Sequence, residues 1–248
     1  EVTYLTIAEV LAAGAGEATT RGTVVATYAR GFLMSDETGS ILVYLGSAPS
    51  VTAGDAVNVN GTTSMYGGLL QFAAGSTVEK TGTATVTHPT ATVMDGAAMD
   101  AYLSAPVVKY VEYTGTLTIN NNYYNVAVEG ASKATGRIQY PQDAIKASLT
   151  SGSVIKVTGY TIGVSSNKYV NTMAVMVEVI EEGEEPEIPT ETKAYTVTEA
   201  LAAYNYSLVN KNEIFNLPII KPLDIQTNPS EIKGEKIYNS SGELVRIV

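Results

Sequence analysis

Tyrosine is the residue type in this chain best suited to holding a ligand. There are sixteen tyrosines against three phenylalanines and no tryptophan. Several stand beside polar donors. Tyr28, Arg30 and Phe32 fall in "TYARGF", Tyr44 in "LVYLG" and Tyr66 in "SMYGG". Further on come Asn121, Asn122, Tyr123 and Tyr124 in "NNNYY", then Tyr140, then Lys168 with Tyr169 in "NKY". Aromatic faces next to amides and cations can stack on bases or on sugar rings. The competing reading is packing, because tyrosine is a normal strand residue and half of any strand's side chains point inward.

Catalytic chemistry finds less support. His88 in "THPT" is the only histidine and cysteine is absent, so neither a zinc site nor a triad can be assembled around it. It reads as a surface or linker residue. Asp36 and Glu37 in "SDETG" could pair as acid and base or hold calcium, but Thr38 and Gly39 make a turn between strands the better reading. Asp95 and Asp100 flank a helix start, where one caps and the other faces solvent. "GAG" at Gly14–Gly16 reads as a helix stop rather than a phosphate loop. No GxSxG, HExxH, P-loop or dinucleotide fingerprint occurs. The expectation is therefore a protein that is not an enzyme, with no cofactor and no metal.

The elements that would position the tyrosines come in two copies. "GDAVNVNG" (Gly54–Gly61) and "GSVIKVTG" (Gly152–Gly159) share the pattern G-x-x-V/I-x-V-x-G. Its alternation turns one strand face to a core, and its glycines bound or bend the strand. Upstream of each lie three strands, beginning near Gly22 and Gly115; downstream come a polar loop and a last strand, "LLQFAAGSTVEK" or "VNTMAVMVEVI". Five strands with a break between the third and fourth is the order of an OB-fold barrel. "TIAE" (Thr6–Glu9) fits a capping box ahead of the first copy, and "TVMD" (Thr92–Asp95) is a looser version ahead of the second. "TVTE" (Thr196–Glu199) begins a third unit, but the window after it contains Pro218 and no glycine, so the repeat does not continue. "EKIYNSSGELVRIV" reads as a hairpin turning at "NSSG".

The expected organisation is mainly β: an OB-like barrel over 1–88, a second over 89–180, each behind a short helix, an acidic linker over 181–193, and a diverged or truncated third unit over 194–248. The tail strands "IFNLPII" and "KIYNSSGELVRIV" are expected to complete an edge of a barrel or of a neighbouring molecule. The run "YLTIAEVLAAG…RGTVV…FLMSDETGSILVYL…GDAVNVNG" resembles the OB-like domains of secreted or surface lipoproteins of Bacteroidetes. "IYNSSGELV" weakly resembles strands near the C-termini of secreted proteins from the same group. The resemblance implies a secreted or outer-membrane-anchored location and carries no catalytic residues.

Charge narrows the partners. The net charge is −10, yet residues 178–191 alone hold seven acids and no base. The two repeat units are close to neutral, unlike the basic surface of a duplex-binding protein. The ligand expected on the OB positions is a glycan or another surface protein, which would make the chain an adhesion or binding module. The alternatives are a single-stranded nucleic-acid binder using the same face, or a structural spacer. Membrane attachment is expected only through a lipid anchor that this chain does not contain.

Overall fold

The computed structural model describes residues 2–183 and two short strands near the C-terminus. The first repeat opens with helix α1 (Ile7–Ala13). Thr6 caps it with a full capping box: its hydroxyl accepts from the Glu9 N–H, and the Glu9 carboxylate accepts from the Thr6 N–H at 2.8 Å. Gly14 ends it at a φ of 78°. Strands β1 (Gly16–Tyr28), β2 (Gly31–Ser35), β3 (Ser40–Tyr44), β4 (Asp55–Tyr66), β5 (Leu69–Phe72) and β6 (Thr77–Thr83) follow. They run β1-β2-β3-β5-β4, and β4 pairs back to β1 to close a five-stranded barrel. The β3–β5 pairing is parallel and the rest of the closure antiparallel.

The second repeat has the same path: β8 (Tyr110–Asn120), β9 (Tyr123–Val128), β10 (Thr135–Ile138), β11 (Val154–Ser165) and β12 (Tyr169–Glu181), with β10 parallel to β12 and β11 closing on β8. Two differences separate the copies. The last strand of the first repeat is broken at Ala73–Ser76 into β5 and β6, whereas β12 runs unbroken along β11. Helix α3 (Asp143–Lys146) fills the break between β10 and β11.

The entry to the second repeat departs from the expected T-x-x-D box. Thr92 and Val93 form β7, a two-residue parallel strand on β8, and helix α2 (Gly96–Tyr102) is capped by Asp95 itself, whose carboxylate accepts from the Ala98 N–H at 2.8 Å. The match to the first copy was one of spacing, and the aspartate takes the role that threonine has there.

Alternation sorts the side chains. Phe32 and Met34 of β2, Ile41 and Val43 of β3, and Leu70 and Phe72 of β5 fill the first core with Ile7 and Val10 of α1. Tyr113, Leu117, Val126, Ile138, Ile155 and Val157 do so in the second, under Met99 and Tyr102 of α2. Gly22 and Gly115 mark the same place in both barrels: a Cβ on Gly22 would lie 2.7 Å from the Ser35 carbonyl oxygen, and one on Gly115 would collide with that of Ala127.

A third apolar cluster lies between the barrels. Ala26, Tyr28, Leu33 and Leu42 of the first pack on Tyr160, Ile162 and Met173 of the second. The Ala29 N–H donates to the Tyr140 carbonyl at 3.0 Å, the Val164 N–H to the Gly67 carbonyl at 2.8 Å, and the Gln142 amide to the Thr27 carbonyl at 3.0 Å. Gly67 has a φ of 60°, and a Cβ there would stand 2.8 Å from the Val164 carbonyl oxygen, so only glycine permits this approach. His88 sits in the connection between barrels, as expected, and is anchored there. It stacks on Tyr110 with centroids 4.9 Å apart, and its Nδ1 lies 2.9 Å from the Tyr160 hydroxyl.

Near the C-terminus, β13 (Lys236–Tyr238) pairs antiparallel with β14 (Leu244–Arg246), the two arms of the expected hairpin. The helix expected at Thr196–Glu199, the "IFNLPII" strand and most of the acidic linker lie outside the described residues.

Candidate ligand-binding face

In an OB barrel the ligand-bearing strands are the second and third, flanked by the 1–2 and 4–5 loops. The register across this sheet shows what each copy places there. In the first barrel the outward row is Leu33–Leu42–Gln71, paired across β2, β3 and β5. In the second, the equivalent row is Asn125–Arg137–Asn171, paired across β9, β10 and β12. Two apolar residues in the first row are covered by the second barrel. The polar row of the second barrel is the candidate face.

Arg137 is its centre. It is only 9% exposed, yet it takes part in no salt bridge among the described residues. Its guanidinium lies 3.5 Å from the Tyr169 ring centroid and 4.8 Å from that of Tyr123. Nε donates to Asn125 Oδ1 at 2.9 Å and Nη1 to Ser165 Oγ at 3.3 Å; Ser165 Oγ is in turn 3.1 Å from Asn171 Oδ1. The network holds the fork in one orientation and, among the described residues, leaves Nη2 undonated. Lys168 approaches Tyr169 from the rim at 5.6 Å. Tyr123 is 55% exposed, an open aromatic surface above a fixed cation.

The face continues into a cleft of about 150 Å³ between the barrels. Tyr28 lies at its buried end; Tyr44, Tyr66 and Tyr140 rim it, together with Gln71, Gln139 and Asn171. Burial pushes the Tyr28 hydroxyl well above its ordinary pKa, with Tyr44 and Tyr140 adding to the shift. The Tyr140 hydroxyl moves the same way, mainly through burial. Both stay protonated donors across the physiological range. Arg30 projects over the Tyr140 ring at 5.5 Å and is held by the Gly46 carbonyl.

The tyrosine-based expectation thus separates into groups. Tyr28, Arg30, Tyr44, Tyr66 and Tyr140 gather at the cleft, and Tyr123, Lys168 and Tyr169 gather around Arg137. Asn121 and Asn122 form the exposed turn before Tyr123. Two positions need correction. Phe32 is wholly buried in the first core, because β2 alternation turns Leu33 outward in its place. Tyr124 shares the inward parity of Val126 and packs against the second core. Arg137, Gln71 and Asn171 were missed; the signal that could have found them is the alternation in "GRI", "LLQF" and "YVNT", where they are the outward residues between inward ones.

The acidic residues have structural work. Asp36 accepts from the Thr38 and Gly39 N–H groups and, at 2.8 Å, from the Ile7 N–H of α1. Of the Asp95–Asp100 pair, the one that does not cap, Asp100, does not face solvent alone: it takes four hydrogen bonds from the β9–β10 loop, from the Ser132 N–H and hydroxyl, the Lys133 N–H and the Ala134 N–H, at 2.7–2.9 Å. The Ser132 hydroxyl and the three backbone donors hold its carboxyl far below the usual carboxylate range. At Asp36 burial pushes upward, and the hydrogen bonds from Thr38, Ile7 and Gly39 outweigh it to leave the carboxyl lowered. Folded-state pKa values below the unfolded value of about 3.9 stabilise the fold fully above that pH and lose the contribution as pH falls through the folded values. The Asp100→Asn variant is expected to be less stable at neutral pH and to lose less than the parent between pH 7 and pH 3. Urea titrations at both pH values check this; an equal acid loss in both proteins would contradict it.

Strand order, parallel third and fifth strands, and a helix ahead of each copy define a tandem OB-fold protein. No family model and no curated protein matches the chain. Among solved structures, the chain is similar to the tetrameric p202 HIN2 domain at 9% identity and a TM-score of 0.33, over 67% of this chain and 96% of that one. It is likewise similar to p202 HIN1 in complex with 12-mer dsDNA, at 9% identity and a TM-score of 0.36, over 66% and 94%. Likeness at this level carries no argument about ligand; the site's own chemistry has to.

Proposed function

We propose that the chain is a non-enzymatic binding module that holds single-stranded nucleic acid on the outward face of the second barrel. The observation that carries this is the Tyr123–Arg137–Tyr169 stack: a nine-tenths buried cation between aromatic rings, with no carboxylate against it among the described residues. Bases stack on such rings, and the guanidinium and Lys168 meet the backbone. Near-neutral composition argued against this ligand at the sequence level. That objection weakens because Arg30, Arg137 and Lys168 stand at the face and cleft, while neither stack nor cleft contains an aspartate or glutamate.

Few cations mean modest affinity with a shallow salt dependence. Each phosphate contact on a single strand contributes about 0.7 to the log–log slope. Three contacts give a slope of about −2, or roughly fifteen-fold weaker binding from 50 to 200 mM salt. Fluorescence anisotropy with a labelled oligonucleotide measures it. Arg137→Met is expected to weaken binding and flatten the slope by about 0.7. No binding at low salt would remove the reading.

A second reading is favoured by the cleft, whose tyrosines and amides also suit a sugar ring. On it the chain is a secreted or cell-surface adhesion module, the location implied by the Bacteroidetes resemblance. Binding to a neutral glycan would show no salt dependence, which separates the two.

A further inference from the structure

Two side chains at the cleft have unused hydrogen-bonding groups. Gln71 is 8% exposed and its amide makes no hydrogen bond among the described residues. Asn171 is 1% exposed; Oδ1 is engaged by Ser165, while Nδ2 has no acceptor among those residues. Both line the cleft. They occupy the same position in the two repeats, being the outward residues of the fifth strands that pair with the third: Leu42 with Gln71, Arg137 with Asn171. Docking the barrels therefore brings two equivalent amides to one opening. The wholly enclosed unpaired groups among the described residues are the Tyr113 and Thr172 hydroxyls; the two amides instead keep access to the cleft, where a ligand's polar edge can pair with them in place of water.

The space between them has a size and a polarity. At about 150 Å³ it admits one small ring system and not a chain. Its lining has no charged residue: Tyr28, Tyr66 and Tyr140 give aromatic surface, and Gln71, Gln139 and Asn171 give donors and acceptors. Within that lining phosphate has no partner; the cation beside it, Arg30, lies over the Tyr140 ring and is held by the Gly46 carbonyl. An amide presents a donor and an acceptor side by side, which matches the edge of a nucleobase.

We infer that the cleft is a separate subsite for a single nucleobase, read by Gln71 and Asn171 and stacked by Tyr66 or Tyr140. The choice of base over another uncharged ring rests on the nucleic-acid reading above. The division of labour then follows the chemistry: the Arg137 stack faces the charged strand, and the uncharged cleft selects a ring. Because the cleft has walls from both barrels, base recognition depends on their docking, whereas the Arg137 stack belongs to the second barrel alone.

The test uses free nucleosides, which carry no phosphate, with the 15N-labelled full chain. At millimolar concentrations at least one of adenosine, guanosine, cytidine and uridine is expected to shift the Gln71 and Asn171 side-chain amide signals in NMR spectra. Tyr66→Ala, at a residue 52% exposed and so tolerant of change, is expected to weaken that binding about ten-fold. Gln71→Leu is expected to change which nucleoside binds best, an effect that lost packing alone would not produce. Methyl glycosides form the second arm: shifts with a glycoside and none with nucleosides would overturn the assignment. So would no shift with any compound, which would leave the amides to water. Nucleoside binding without oligonucleotide binding would sink the strand-binding function and leave the subsite standing. Salt-sensitive oligonucleotide binding without nucleoside shifts would do the reverse.

Discussion

Replacing Phe32 by alanine will lower the unfolding free energy of the tandem by about 3–5 kcal/mol, the usual range for emptying a buried phenylalanine site. The ring has no exposed surface and packs within the first core beside Met34, Ile41 and Phe72. Neither direct water contact nor ligand contact is open to it. The substitution should therefore leave oligonucleotide affinity unchanged in the fraction that remains folded. Denaturant titration followed by anisotropy at a fixed folded fraction separates the two effects. A folded Phe32→Ala protein with normal stability and lost binding would return Phe32 to the ligand face.

Leu33→Asp is expected to act on a different target. Leu33 is also wholly buried, but against Tyr160, Ile162 and Met173 of the other barrel. A carboxylate there has no cation among its neighbours in that cluster, and an unpaired buried charge costs several kcal/mol. Undocking the barrels returns it to water without unfolding either core. The expected result is an unchanged β-sheet circular dichroism spectrum, a larger radius of gyration by small-angle scattering, and faster hydrogen exchange at the Ala29 and Val164 N–H groups that bond across the junction. Nucleoside binding in the cleft should disappear, while weak oligonucleotide binding to the Arg137 stack persists. Cooperative loss of all secondary structure would show that the barrels cannot stand apart.

The repeat, the strand count and the leading helices were readable because they rest on local signals. A capping box, glycines at matched positions and period-two alternation are each properties of short segments. The "SDETG" turn was readable for the same reason. The site was only half readable. Choosing residues by type gathered the tyrosines but not their direction, so Phe32 and Tyr124 entered the set although strand parity sends both inward. Arg137, Gln71 and Asn171 were passed over because none of them is a tyrosine or stands beside one in sequence. Their meaning appears only when strands 2, 3 and 5 are paired and the two rows are compared. Nothing local marks Leu33 and Leu42 as a surface for another barrel rather than ordinary strand residues. That the two ligand faces are unequal is a property of long-range pairing.

The tie between leading helix and β-loop was met twice with opposite donors. In the first copy the carboxylate belongs to the β2–β3 turn and the N–H groups to the helix: Asp36 accepts from Ile7. In the second the carboxylate belongs to the helix and the N–H groups to the β9–β10 loop, on Asp100. The halves of these ties are not interchangeable. A hybrid repeat joining α1 to the second barrel would set backbone donors against backbone donors with no anion between them. The reciprocal hybrid would leave Asp100 against a turn whose N–H groups are already held by Asp36. Each leading helix is thus keyed to its own barrel by the side of the tie on which the carboxylate stands.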